Sequence, residues 1–343
     1  MNTSPSPFKP PSAPPSLEPI IRHSTAYWAT GILGTAVVHS VFTHIDGGAT
    51  TLALLSERAG LSERGTQALL DGLTGLGLLV VEGGHYRNSP EASAYLVEGK
   101  STYFGDFVRV NFKVMPKWTG LPEAAKSGGS VLSLSGVVDA EYWSELVIAI
   151  APLSLPVARQ AAEELRVADA GACAILDVAG GAGAFSAVFL GANPKATATQ
   201  IDWSNVNRIA RGFVTGVSGA SAEQRFTTID GEFLKTDYGT AAFDFAVYSH
   251  MAHGVTPEEN VQALVKLRRA LKPGGTLIIN EFVVNDDGTA TPFILTFSAN
   301  ILFHSAGGRG WREAEYRKWL AGAGFTDVRF QPTNTPATLI YAS

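Results

Sequence analysis

The sequence predicts an α/β protein, a doubly wound parallel sheet preceded by a mostly helical winged-helix domain. Three observations lead there. From about Val167 short apolar segments alternate with helical ones, the pattern of parallel strands joined by crossover helices. The first strand, Ala174 to Val178, runs into a glycine-rich turn, Ala179-Gly180-Gly181-Ala182-Gly183, that opens a helix. Residues 20–90 read as helix, turn, helix and a short hairpin.

Length and composition set the bounds. A chain of 343 residues has room for two domains. With 45% hydrophobic and 17% charged residues it can build a core. Its net charge of −5 provides no basic field for nucleic acid. One cysteine, Cys173, excludes an internal disulfide framework and a cysteine-rich zinc site. No apolar run reaches the roughly 18–20 residues of a membrane span; the best candidate, Thr30 to Phe42, is short and contains His39. No basic-then-apolar leader opens the chain, so a soluble, cytoplasmic protein with no membrane partner is expected.

The elements follow in order. Residues 1–19 hold seven of the eighteen prolines and are expected to be a flexible tail, with order beginning near Ile20. Leu52 to Ala59 reads as a helix stopped by Gly60. Ser62 caps the next, which carries Leu69, Leu73 and Leu76 on one face and ends at Gly77. Leu78 to Val81 and His85 to Arg87 flank a Gly83-Gly84 turn. A DNA-reading second helix would offer Arg, Lys, Asn or Gln to base edges. Only Arg64 and Gln67 qualify here, so burial against another subunit is the simpler reading. Residues 91–165 are helical and aromatic, with a Gly/Ser-rich loop expected from Ser127 to Gly136.

In the second half, strands are expected at Thr197 to Ile201, Phe226 to Ile229, Phe243 to Tyr248 and Thr276 to Asn280. Thr256 to Leu271 is a helix with a Thr256/Glu259 capping box and Pro257 at its first position. After a helix from Trp311 to Ala323, Val328 to Phe330 and Thr338 to Tyr341 read as a terminal hairpin.

The glycine turn carries the chemistry. Glycines there let a ligand approach the backbone. The dinucleotide fingerprint would need a third glycine at Ser186, and no phosphate-cradling lysine follows. Asp202, at the end of the second strand, can accept hydrogen bonds from both ribose hydroxyls of a nucleoside. A nucleoside without an obligatory pyrophosphate fits, although such a turn can also be purely structural.

Asp177-x-x-Gly-Gly-x-Gly183, Asp202, Gly231-Glu232-Phe233, Ala270-Leu271-Lys272-Pro273-Gly274-Gly275 and Ala321-Gly322-Ala323-Gly324-Phe325 stand in order and at characteristic spacing. Over roughly residues 20–343 the chain resembles the S-adenosylmethionine-dependent O-methyltransferases with a winged-helix dimerisation domain, a family that includes acetylserotonin and plant phenolic enzymes. The resemblance implies a Rossmann-like class I methyltransferase domain over 166–343. It also implies a winged-helix dimerisation domain over 20–110, a helical connector lining the substrate pocket over 111–165, and a homodimer. S-adenosylmethionine is the implied cofactor. Its methionine part would lie against Gly181 and Gly183, its ribose against Asp202 with Trp203 beside it, and its adenine against Glu232 and Phe233. Asp177, Gly180 and Ser249 complete that expected set. Ala179 stands where the family usually has glycine, and Ser249 where it often has lysine.

In the family the end of the fourth strand carries His-Asp-Trp, with the histidine as general base. His253 falls on that histidine, but Gly254 and Val255 replace the next two residues. A neutral hydroxyl must lose its proton to attack a sulfonium methyl, and a histidine suits that task. A thioether has no proton to lose, and positioning would suffice. His253 therefore stands as a base, with an orienting role or a structural histidine as alternatives. A zinc pair from His250 and His253 has acceptable spacing but no evident third ligand, so no metal is expected. Tyr142, His250, Asn300, Phe303, His304 and Arg309 are the candidate substrate contacts. Arg109, Lys113 and Arg312 raise the same question of a carboxylate partner. The expected activity is methylation of a small-molecule hydroxyl. S-methylation of a small thioether carboxylate, of the type that makes the precursor of dimethylsulfoniopropionate, is the chemical alternative. A ligand-binding protein without catalysis and a winged-helix regulator are the others.

Overall fold

The computed structural model describes residues 15–134 and 140–343. The chain divides into two compact units, Met1–Met115 and Pro116–Ser343. The division falls beyond the expected boundary at residue 110, and the expected connector is shared between the units. Residues 1–14 of the expected tail and residues 135–139, the first two of which end the expected loop, lie outside the described residues; within the rest of that loop Val131–Leu134 is helical.

The first unit begins earlier than Ile20, with helix α1 at Glu18–Ser24, because Glu18 and Pro19 suit a helix start. Helices α2 (Ala26–Val38), α3 (Val41–Asp46), α4 (Leu52–Ala59) and α5 (Glu63–Gly75) follow. Strands β1 (Leu79–Glu82) and β2 (His85–Asn88) pair antiparallel, and α6 (Pro90–Tyr95) and α7 (Gly105–Val114) close the unit. Thr51 and Ser62 cap α4 and α5 through their side chains. Phe42, Leu55, Leu70 and Leu73 are fully buried in the core of the unit. Leu76, expected on that face, is instead the exposed C-cap of α5. Of the two candidate readers of base edges, Gln67 already donates to Asp71 and Tyr86, and on the hairpin Arg87 pairs with Glu82.

The second unit opens with a 3₁₀ turn (Met115–Gly120), α8 (Leu121–Ser127), a short α9 (Val131–Leu134) and the long α10 (Ala140–Glu164). Contrary to the expectation from sequence, Glu141–Glu164 is long and apolar enough to cross a membrane by length and composition. Pro152 and Pro156 lie inside this helix without ending it. Its Val157, Ala158 and Ala161 are buried against the sheet domain. Then come β3 (Ala174–Val178), α11 (Ala184–Ala192), β4 (Thr197–Asp202), α12 (Ser204–Ser218), β5 (Phe226–Asp230) and β6 (Phe243–Ser249). After them run α13 (Pro257–Ala270), β7 (Leu271–Glu281), α14 (Pro292–His304), α15 (Glu313–Gly322), β8 (Val328–Pro332) and β9 (Thr338–Ala342). The Thr256/Glu259 capping box forms at the start of α13.

Among the described residues these strands make one seven-stranded sheet, in the order β5-β4-β3-β6-β7-β9-β8. The first five are parallel, and β9 runs antiparallel to both β7 and β8. Apolar clusters cover both faces, one around Ile175, Phe189 and Val247 and the other around Leu176, Leu264 and Ile279. Strand order reverses direction between β3 and β6, and in such sheets ligands bind outside the carboxyl ends of the strands at that reversal.

Candidate active site

Two constructions meet the strand ends of β3 and β6. The first is the glycine turn after β3. Asp177 is buried, and its Oδ2 accepts both the hydroxyl (2.7 Å) and the backbone N–H (3.3 Å) of Ser186. Ser186, which breaks the dinucleotide fingerprint, thus ties the turn to α11. Burial pushes the Asp177 carboxyl up to about 6, against the pull of the Ser186 bonds. Gly180 has no room for a side chain: a Cβ would lie 2.6 Å from Gln200 Oε1 and 2.7 Å from Asp177. Ala179 holds φ at +52°, a left-handed conformation in which glycine is at ease and alanine is not.

The turn is braced from β4. Gly181 N–H donates to Asp202 Oδ2 (3.0 Å), and Gln200 Nε2 donates to the Gly181 carbonyl (3.0 Å). Asp202 Oδ1 accepts the Trp203 N–H. Burial pushes Asp202 up to about 6 as well, partly offset by these backbone bonds. Buried Asn207 donates to the carbonyls of Asp202 and Ile229 and to Asp230, locking the ends of β4 and β5 together. Gly231 N–H returns to the Asp202 carbonyl, which sets the Glu232–Phe233 turn beside β4. Glu232 pairs with Lys235, and the Phe233 ring lies 6.3 Å from that of Tyr248. Trp203 is half-exposed, edge-on to Trp143. Gln200 and Asn207 escaped the sequence reading, since a buried amide has no distinctive spacing, and Ser186 stands out there only as the residue that breaks the dinucleotide fingerprint.

The second construction follows β6. The Ser249 hydroxyl accepts from Asn280 on β7. His253 lies in a 3₁₀ turn, Ala252–Gly254, whose Ala252 carbonyl is held by Asn260 and by the Trp311 indole. Gly308 packs so tightly on this turn that a Cβ would fall 1.9 Å from the His253 carbonyl oxygen. The His253 ring donates from Nδ1 to Glu281 Oε1 at 2.7 Å. Glu281, at the end of β7, is fully buried and also accepts the backbone N–H groups of His253 (3.1 Å) and Phe282 (2.8 Å). Burial is the largest single influence and raises the Glu281 carboxyl, but His253 and His250 together outweigh it and hold it well below the ordinary carboxylate range. His250 Nδ1 is 3.5 Å from the same oxygen and makes no hydrogen bond. The carboxylate that turns two spaced histidines into a cluster lies 28 residues downstream of His253, too far for a sequence motif to signal.

Aromatic rings surround the pair. Phe282 lies 4.6 Å from His250, and Phe297 meets His253 edge-on at 5.1 Å. His304 donates from Nδ1 to the Asn300 carbonyl (2.8 Å) and accepts the Tyr142 hydroxyl at Nε2, while burial lowers its pKa. Two candidate contacts are not turned toward this cluster. Phe303 is fully buried and stacks on Trp118, because its side of α14 faces the interior. Arg309 pairs with Glu315 and lies over the Trp311 ring, and neighbouring Arg312 donates to the Asp286 carbonyl. In the first unit Arg109 is paired with Asp106 and Glu98.

Residues 21–98 match the O-methyltransferase dimerisation domain and residues 160–326 the O-methyltransferase domain, together well over half of the chain. The chain belongs to the O-methyltransferase family. It is a methyltransferase, and S-adenosylmethionine is its cofactor. It is 29% identical over 327 residues to the tetracenomycin polyketide synthesis 8-O-methyltransferase TcmO of Streptomyces glaucescens, covering 93% of this chain and 94% of that one. It is also 29% identical to a 3-hydroxy-5-methyl-1-naphthoate 3-O-methyltransferase of Streptomyces sahachiroi, over 89% and 88% of the two chains. The fold matches human N-acetylserotonin methyltransferase, solved with SAM, at a TM-score of 0.84 and 21% identity, over 97% of this chain and 99% of that one.

Proposed function

We propose that this methyltransferase acts on the hydroxyl of a small aromatic molecule, with His253 as general base and Glu281 as the group that orients it. The 2.7 Å contact between His253 Nδ1 and buried Glu281 Oε1 carries this reading. A proton fixed on Nδ1 leaves the Nε2 lone pair free for the acceptor hydroxyl. The carboxylate then stabilises the imidazolium that forms when Nε2 takes that proton.

The residues after β3 and β4 suit the cofactor. Asp177 Oδ1 and Gln200 Oε1 are buried acceptors without hydrogen-bond partners on either side of Gly180. They give the turn a negative potential that favours a cationic ligand. Asp202 would hold the ribose, with Trp203 beside it; Gly181 and Gly183 would admit the methionine part, and Glu232 and Phe233 would flank the adenine. The cofactor supplies the electrophilic methyl group. The chain's own task is to hold the hydroxyl in line and to accept its proton at His253 Nε2.

A flat phenolic acceptor fits the rings of Phe282, Phe293 and Phe297 near His253. Polyketide and naphthoate hydroxyls, the acceptors named for the two relatives, are of this kind. Carboxylate recognition by arginine, which would favour a thioether acid, gains nothing from Arg309 and Arg109, whose guanidinium groups are already ion-paired. The dimerisation domain supports a homodimer. In a His253→Ala variant, turnover of a phenolic acceptor should fall about 10²–10⁴-fold with S-adenosylmethionine affinity kept. Near-normal turnover would remove the base from the mechanism.

A further inference from the structure

His250 has no part in the base reading, yet its geometry is unusual. It holds φ at +52°, a left-handed conformation that a non-glycine residue keeps only where the surroundings enforce it. The strained backbone sets its Nδ1, buried and without a hydrogen bond, beside a carboxylate that already serves another imidazole.

We propose that His250, His253 and Glu281 form a binding site for a divalent transition-metal ion, best suited to Zn²⁺, and that the ion switches the base off. One ligand atom from each residue lies within 4.8 Å of the others. Zinc bonds of roughly 2.0–2.2 Å in a tetrahedron set neighbouring ligand atoms about 3.3 Å apart. The observed separations from Glu281 Oε1, 2.7 Å to His253 Nδ1 and 3.5 Å to His250 Nδ1, fall on either side of that value. Two imidazoles and one carboxylate leave a fourth position open. The carboxylate is already fixed by the backbone N–H groups of His253 and Phe282, the outer support that ligating carboxylates require.

The switch follows from proton bookkeeping. An ion takes the lone pair of His253 Nδ1, so the single proton of the neutral ring moves from Nδ1 to Nε2. The proton count is unchanged, but Nε2 becomes a donor and no longer accepts a proton from a hydroxyl. This inhibitory half rests on the base reading above; the binding half does not.

The test is titration of the full-length protein with zinc chloride against a chromogenic chelator, alongside cobalt loading read by its visible bands. One tight ion per chain is expected, with affinity lowered at least about tenfold in His250→Asn, a residue that tolerates the left-handed backbone. Glu281→Gln gives a second, independent ligand deletion. Zinc should also suppress methyl transfer reversibly, with recovery on adding EDTA. No stoichiometric ion, or unchanged affinity in both folded variants, overturns the site. Ligand-dependent binding that leaves turnover untouched would keep the site and overturn the switch.

Discussion

The turn after β3 and the turn after β6 sit at neighbouring strand ends but are built on opposite principles. The first is made by the backbone. Gly180 leaves room for nothing larger, and Gly181 is held through its own backbone N–H and carbonyl by Asp202 and Gln200 of β4. The second is made by side chains. His253 matters through Glu281, which arrives from β7 after a whole helix and strand. A backbone-shaped site is sensitive to added volume, whereas a charge-paired one is sensitive to lost charge.

Four substitutions or conditions sharpen that contrast. Glu281→Gln keeps the shape and deletes the charge, so turnover should fall about 10²-fold or more while S-adenosylmethionine affinity, measured by calorimetry, stays put. If both fall together, the two sites are one cooperative unit. Gly180→Ala does the reverse. Its Cβ meets Gln200 and Asp177 at 2.6 and 2.7 Å, so denaturant unfolding should show a loss of ~1–3 kcal/mol and the cofactor should bind more weakly.

The acidity of the first site gives a gentler handle. Ribose hydroxyls would stabilise the ionised Asp202, whose carboxyl is pushed up to about 6. Binding therefore favours proton release, and affinity should rise with pH through about 6 and then level off. A calorimetric Kd roughly tenfold weaker at pH 5 than at pH 7.5 is expected. A flat profile would place the ribose elsewhere. For the unliganded protein the raised pKa acts in the other direction: stability from this group is greatest at low pH and declines as pH climbs from about 4 to about 6. The smallest effect is at Ala179. Replacing it with glycine relieves the left-handed strain at φ +52°, and the melting temperature should rise by an amount worth ~0.5–1 kcal/mol.

Local signals carried the sequence far. Alternating apolar segments, the capping box at Thr256 and the glycine turn depend on neighbours within one element, so the sheet and its crossover helices could be read in advance, whereas His253 stands out only through the family resemblance. The sequence marks residues 91–165 as helical without showing that one helix, α10, runs through Pro152 and Pro156, and the tertiary packing of Val157, Ala158 and Ala161 is what holds it together there. Phe303 and Arg309 had suitable spacing but face other partners, since spacing fixes which residues share a helix face and not what that face meets.

The sequence alone therefore determined the fold class and the turn after β3, each a consequence of short-range chemistry, while the family resemblance pointed to the histidine after β6. Only the tertiary structure decided that Glu281 stands behind His253, that Gln200 and Asn207 brace the glycine turn, and that His250 shares the carboxylate. Parallel strands bring residues from distant stretches of chain to one sheet edge, and the pairing of a buried charge depends on that edge rather than on distance along the chain.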